Sequence, residues 1–189
     1  AKRLIDEFYH AKGGVLFGTA MALPYLTEPV AVSAITSLDA ARSIPTWRAD
    51  ELTLRLLLEL RERSTKEVLV QTRTEPDHLL NFAGRGALER FFDEELALRE
   101  QLGYPPFQTL IRLSWLERAA PEEFVKNLTT LLSAYEAQWY RNPIELKAPL
   151  RHVLLTLPAD DPNARRTLLE RLRQLPPFVK VEMNPDRLV

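Results

Sequence analysis

The chain of 189 residues contains no cysteine and only six glycines. Without thiols it forms neither a disulfide bond nor a thiolate zinc site, so the fold depends on packing alone. No stretch approaches the roughly 20 consecutive apolar residues of a membrane-spanning helix. The 25 basic and 26 acidic side chains nearly cancel, so no overall positive field marks a nucleic-acid binder. We therefore expect a soluble, cytoplasmic protein with no membrane partner.

Two nucleotide-binding patterns are also missing. The chain has no Gly-x-x-x-x-Gly-Lys-Ser/Thr loop, which cradles phosphates, and no Asp-Glu-x-His segment. Its three histidines are far apart in the sequence and show no metal-ligand spacing. We predict no catalytic residue, no metal site and no cofactor for this chain.

Strand and helix patterns alternate in the first part of the chain. They predict helices around Leu4–Phe8 and Glu51–Arg63, and strands at Val15–Gly18, Val30–Ser37 and Val68–Gln71. This alternation favours a parallel α/β sheet. So few strands leave an unpaired edge, and the chain does not begin with Met. We expect residues 1–75 to be part of a larger lobe.

The remaining sequence predicts a helical bridge over residues 76–104 and a second domain over residues 105–189. The bridge ends at Gly103 and the Pro105-Pro106 pair. The second domain follows the order β-α-β-β-α-β, with strands at Phe107–Leu116, Ile144–Leu146, Arg151–Leu157 and Phe178–Met183 and helices at Pro121–Tyr140 and Asp160–Leu175. This is the order of a ferredoxin-like sandwich, in which two helices cover one face of an antiparallel sheet.

A series of short segments occurs in an order typical of a known family. The segments are Gly18-Thr19-Ala20-Met21, Leu38-Asp39-Ala40, Trp47-Arg48-Ala49-Asp50-Glu51, Val68-Leu69-Val70-Gln71-Thr72 and Gly103-Tyr104-Pro105-Pro106-Phe107. They resemble the C-terminal part of the PriA family (primosomal protein N′) of replication-restart DNA helicases. The resemblance implies half of a RecA-like helicase lobe in residues 1–75 and the family's C-terminal α+β domain in residues 105–189. The end of the chain, through Val181–Pro185, is also similar to the family's end.

The resemblance also implies partners and cofactors, although the chain is a divergent member. Expected partners are forked or single-stranded DNA, single-strand-binding protein and primosome proteins. ATP and magnesium are expected only for a complete family member. Here Pro24-Tyr25 stands near the family's Lys-Gly, and Arg61–Thr65 replaces a glycine-bearing run that supplies ATPase arginines.

Several residues are candidates for these roles by resemblance. Gly18 and Thr19 match a loop that touches DNA, although the same pair is typical of an ordinary turn after a strand. Arg48 is a candidate phosphate contact or simply precedes a helix. Arg61 and Arg63 are candidate ATP-site arginines, or they face solvent on a continued helix.

Basic residues of the second domain complete the candidate set. Lys147, Arg151, Arg165 and Arg166 are candidate DNA-binding residues, although arginines on one amphipathic helix more often form its solvated face. The sequence thus predicts the C-terminal region of a PriA-like replication-restart helicase that binds branched or single-stranded DNA without ATPase activity in this chain. The alternative is an ATPase-dead interaction or structural module without DNA affinity.

Overall fold

The structure is a computed structural model that describes residues 2–11, 13–74, 78–141, 149–158 and 161–188. The chain divides into two compact units. The first contains Ala1–Ile44 and Ala49–Leu88, and the second contains Pro45–Arg48 and Glu89–Val189. The described residues form a two-stranded parallel sheet and a four-stranded antiparallel sheet, so the fold is mixed α/β. The predicted segment bounds at residues 75 and 104 stay a prediction.

The first unit combines helices with the parallel sheet. Its elements are α1 (Lys2–His10), a 3-10 helix (Ala20–Tyr25), β1 (Val30–Ile35), α2 (Leu38–Arg42), α3 (Ala49–Arg63), β2 (Ser64–Val70) and α4 (His78–Arg85). Strands β1 and β2 pair in parallel, as predicted. Helix α3 has Asp50 and Glu51 in its first turn and Arg61 and Arg63 in its last. This distribution suits the helix dipole at both ends.

The predicted strand at Val15–Gly18 is wrong. The segment has no regular secondary structure, and the side chains of Val15 and Phe17 are 77% and 86% exposed. Within the described residues, this unit's sheet contains only β1 and β2. No third strand therefore supplies the hydrogen bonds and the apolar cover that would hold Val15–Gly18 in a sheet.

The second unit is built on the antiparallel sheet. Its elements are α5 (Leu88–Leu102), β3 (Gln108–Leu116), a 3-10 turn (Glu117–Ala119), α6 (Glu122–Leu132), β4 (Glu136–Arg141), β5 (Leu150–Pro158), α7 (Pro162–Leu172) and β6 (Lys180–Met183). The strands lie side by side in the order β4-β5-β3-β6. Along the chain the described elements follow the order β-α-β-β-α-β, but the second strand, β4, lies in a segment that was predicted as helix.

The core of the second unit lies between the sheet and the helices α6 and α7. Alternating residues of β3 and β5 point into it, and the two helices contribute leucines. The fully buried members are Ile111, Leu113, Trp115, Leu128, Leu132, Val153, Leu155 and Leu168. Every second residue of the strands and one face of each helix thus pack together in one apolar layer.

The predicted helix Pro121–Tyr140 is wrong in its second half. Helix α6 ends at Leu132, and Glu136–Arg141 forms strand β4 against β5. The apolar spacing continues past Leu132, but pairing with β5 satisfies the backbone of this segment and takes precedence over local periodicity. The predicted strand at Ile144–Leu146 lies outside the described residues.

We expect Leu155→Ala to lower the free energy of unfolding of the second unit by about 2–5 kcal/mol, because Leu155 is fully buried and the change leaves a cavity. All three tryptophans of the chain lie in this unit, so tryptophan fluorescence during urea unfolding reports on it selectively. The matched control is Leu98→Ala, on the 48% exposed Leu98 of α5, which should cost less than about 1 kcal/mol. Equal losses in both variants would contradict this assignment of the core.

Candidate nucleic-acid interface

Gly18 and Thr19 lie at the surface of the first unit. Thr19 precedes the 3-10 helix Ala20–Tyr25, and its carbonyl oxygen accepts a hydrogen bond of 2.9 Å from Ala22 N. Its side chain makes no capping hydrogen bond. A hydroxyl in this position can donate to a phosphate oxygen. The predicted role of the pair in DNA binding remains a prediction.

Asp39 brings two of the family-like segments together. Its carboxylate accepts hydrogen bonds from the Thr72 hydroxyl at 3.2 Å, from Arg73 N at 3.0 Å and from the Thr74 hydroxyl at 3.3 Å. The backbone hydrogen bond from Arg73 is the largest cause that lowers the pKa of Asp39, and partial burial opposes it. Asp39 therefore fixes the loop that follows β2 to the start of α2.

Both candidate ATP-site arginines are engaged within the first unit. Arg61 Nη1 donates to Ala83 O at 3.0 Å, and Arg63 Nη1 donates to Leu26 O at 2.8 Å. Arg63 Nη2 also pairs with Glu59 at 3.2 Å. Helix α3 continues through both arginines without a glycine turn. Both side chains thus contact oxygen atoms of their own unit, and their role at an ATP site stays a prediction.

Arg48 lies in the second unit, beside the C-terminal residues. Its guanidinium group pairs with Asp186 at 3.1 Å, and Trp47 Nε1 donates to Pro185 O at 3.0 Å. The guanidinium group of Arg99 stacks over the Trp47 ring at 4.7 Å from its centroid. These contacts hold the segment before α3 against the end of the chain. They give Arg48 a structural contact, and its predicted role as a phosphate contact stays a prediction.

Arg151 belongs to a cluster of three charged side chains. Its Nε and Nη2 donate to Glu117 Oε1 at 3.0 and 2.5 Å, while Arg141 Nη2 donates to Glu117 Oε2 at 2.6 Å. The hydrogen bond from Arg151 is the largest cause that lowers the pKa of Glu117. Sequence reasoning identified Arg151 but missed Arg141 and Glu117, because only the pairing of β4 with β5 brings them together. Lys147, the neighbouring candidate, lies outside the described residues.

Helix α7 presents the other predicted arginines. Arg166 pairs with Glu170 at 3.2 Å, and both side chains are largely exposed. In the described part of the chain, Arg165 and Arg173 have no acidic partner. An open depression of about 400 Å³ along the helix is lined by Arg165, Arg166 and Arg173 together with Leu169 and neighbouring residues. Glu170 also lines this depression, and Arg173 lies just after the end of α7 at Leu172.

In the described ranges, no group of three or more histidine, cysteine, aspartate or glutamate side chains is arranged to hold a metal ion. No helix in those ranges has the length and apolar character needed to cross a bilayer.

Comparison with known proteins gives a consistent result. The chain is 32% identical to the replication restart protein PriA of Chlamydia muridarum over 123 residues, or 62% of this chain and 16% of that protein. It is 29% identical to PriA of Bacillus subtilis over 115 residues, or 58% and 14%. It is 25% identical to PriA of Thermotoga maritima over 194 residues, or 97% and 26%. No family model matches the chain.

These similarities confirm the resemblance that the ordered segments predicted. The matched part of the relatives is their C-terminal region. The chain spans about a seventh to a quarter of the length of these curated relatives.

We expect Asp39→Asn to destabilise the first unit at neutral pH, because it weakens the charge-assisted hydrogen bond from Arg73 N–H. Folding lowers the pKa of Asp39, chiefly through the backbone hydrogen bond from Arg73. The carboxylate therefore stabilises the fold fully at a pH above its pKa in the unfolded chain. This contribution is lost as the pH falls through its pKa in the folded protein. The difference in amide exchange at Arg73 between the two proteins should therefore shrink below about pH 4.

Nuclear magnetic resonance of the Arg73 amide is the measurement. The control is Asp186→Asn, which removes an exposed carboxylate of the second unit and should leave the Arg73 amide unchanged. Equal protection of that amide in wild type and Asp39→Asn at neutral pH would show that the network is not formed.

Proposed function

We propose, on the premise that this chain is related to the replication restart protein PriA, that it acts in DNA replication restart as a module that binds forked or single-stranded DNA. The relatives are named for replication restart, which supports the role in the primosome. The DNA-binding step is our own inference from the basic surface of the second unit. Its site of action would be the cytoplasm, where bacterial replication occurs.

The observation that carries DNA binding is the arginine-bearing face of α7. Arg165 of α7 and Arg173, one residue beyond the end of the helix at Leu172, line the same depression, with Leu169 between them in sequence, and both lack acidic partners in the described residues. Phosphate contacts by such side chains provide most of the affinity of sequence-independent nucleic-acid binding. Because the whole chain has a net charge of −1, it does not attract DNA as a whole, and the attraction must come from one basic surface.

The finer fold assignment is part of the same proposal. The strand order β4-β5-β3-β6 with α6 and α7 packed in one core supports a ferredoxin-like sandwich. The parallel pair β1 and β2, with α3 between them in sequence, supports part of a RecA-like lobe. In this proposal, ATP and magnesium act only in a complete family member, and single-strand-binding protein or primosome proteins are the protein partners.

A second candidate function rests on a different surface. Val15, Phe17 and Met21 are each more than three quarters exposed in the first unit. Clustered exposed apolar side chains mark surfaces that another polypeptide covers. This favours an interaction module without DNA affinity, and the engaged Arg61 and Arg63 agree with the absence of ATPase activity from it.

We expect the chain to bind a labelled DNA fork with a single-stranded arm, with an affinity that falls as salt rises. The double variant Arg165→Gln/Arg173→Gln should bind on the order of tenfold more weakly at moderate salt, because two phosphate contacts are lost. The slope of log affinity against log salt should become shallower by about 1.4 for a single-stranded contact. Fluorescence anisotropy measures both quantities.

The matched control is Arg3→Gln/Arg90→Gln, which removes the same charge from two exposed arginines already paired with Glu7 and Glu94. Its affinity should stay close to that of the wild type. Absence of binding even at low salt would reject the DNA-binding function and favour the interaction module.

A further inference from the structure

Arg141 and Arg151 have the composition of an anion-binding site, and the carboxylate of Glu117 is the anion that they hold. One carboxylate receives three hydrogen bonds from two guanidinium groups, at 2.5 to 3.0 Å. Guanidinium forks recognise carboxylate and phosphate with the same planar geometry. Glu117 therefore occupies a position that a phosphate group would also fit.

The backbone explains why these residues meet. Arg141 of β4 and Arg151 of β5 are directly opposite each other in the antiparallel register. Like charges in that relation repel each other. Glu117 N donates to Pro149 O at 2.9 Å, which holds Glu117 beside the start of β5. The carboxylate is thus placed by the fold between two cations that have no other acidic partner among the described residues.

The ion pairs are also open enough to be exchanged. The side chains of Arg141 and Arg151 are 57% and 48% exposed, and that of Glu117 is 30% exposed. By contrast, Arg112 in the same sheet is 15% exposed, and it also donates to Arg187 O. Because water reaches these side chains, solvent screens their attraction and a competing anion has access to both guanidinium groups.

We propose that Arg141 and Arg151 form a phosphate-binding pair for a DNA strand, and that Glu117 blocks this pair in the free protein as an intramolecular competitor. This inference rests on the proposed DNA-binding function and adds its regulation. The pKa of Glu117 is lowered chiefly by its hydrogen bond with Arg151, so the carboxylate stays ionised at neutral pH. The closely spaced phosphates of the DNA strand, and not protonation of Glu117, therefore displace Glu117 from Arg141 and Arg151.

The test compares Glu117→Gln with Glu94→Gln, using a fluorescently labelled single-stranded oligothymidylate. Each variant loses one negative charge, so the net charge changes equally. Glu94 pairs with the exposed Arg90 on α5 and is distant from this cluster in sequence. Glu117→Gln should bind on the order of tenfold more tightly than Glu94→Gln at moderate salt, with a salt slope steeper by about 1.4, because two phosphate contacts become available. Adding Arg141→Gln and Arg151→Gln to Glu117→Gln should abolish the gain.

Each outcome decides between the two proposals. Wild-type binding with equal affinities for Glu117→Gln and Glu94→Gln overturns the competitor role and leaves the proposed function standing. No binding by any of the proteins overturns both. Tryptophan fluorescence verifies that the second unit is folded, and if Glu117→Gln unfolds, Glu117→Asp replaces it. The shorter aspartate keeps the charge but withdraws the carboxylate, so it should raise affinity in the same direction.

Discussion

The antiparallel register of β3 with β5 is the constraint on which the second unit depends. It pairs Gln108 with Pro158 at one end and Leu116 with Leu150 at the other, without a break. Because side chains alternate along a strand, this register decides which residues face the helices. It sends Leu113 and Val153 into the core with α6 and α7, and it places Ser114 against His152 on the opposite side, at 2.9 Å. A shift by one residue would exchange these two sets.

The same register positions the charged cluster. Strand β3 ends at Leu116, so Glu117 follows at the point where β5 begins, and the pairing of β4 with β5 brings Arg141 to Arg151. The anion-binding geometry is therefore a consequence of how the core is built, and the loss of the core would remove it. Arg165 and Arg173 have a different origin, because one lies on α7 and the other directly follows its end at Leu172, so no strand pairing is needed to bring them near each other.

In the first unit, several family-like residues hold the fold together. Asp39 ties the residues after β2 to α2, and Arg61 and Arg63 bind backbone carbonyl oxygens of Ala83 and Leu26. A guanidinium group that donates to a carbonyl oxygen is less available to an external phosphate. If it moved away, that oxygen would lose its hydrogen-bond donor. The divergence of the arginine segment is thus accompanied by a structural use of its arginines. This is why our functional proposal rests on the second unit.

The amino-acid sequence by itself determined the mixed α/β class, the positions of α3, α7, β3 and β5, and Arg151 as a candidate binding residue. These follow from local periodicity and from ordered motifs, which are properties of neighbouring residues. Only the tertiary structure decided that Val15–Gly18 is not a strand, that β4 replaces the end of the predicted helix, and that Glu117 meets Arg141 and Arg151. Each of these depends on whether a partner strand from a distant part of the chain is present, and no local pattern carries that information.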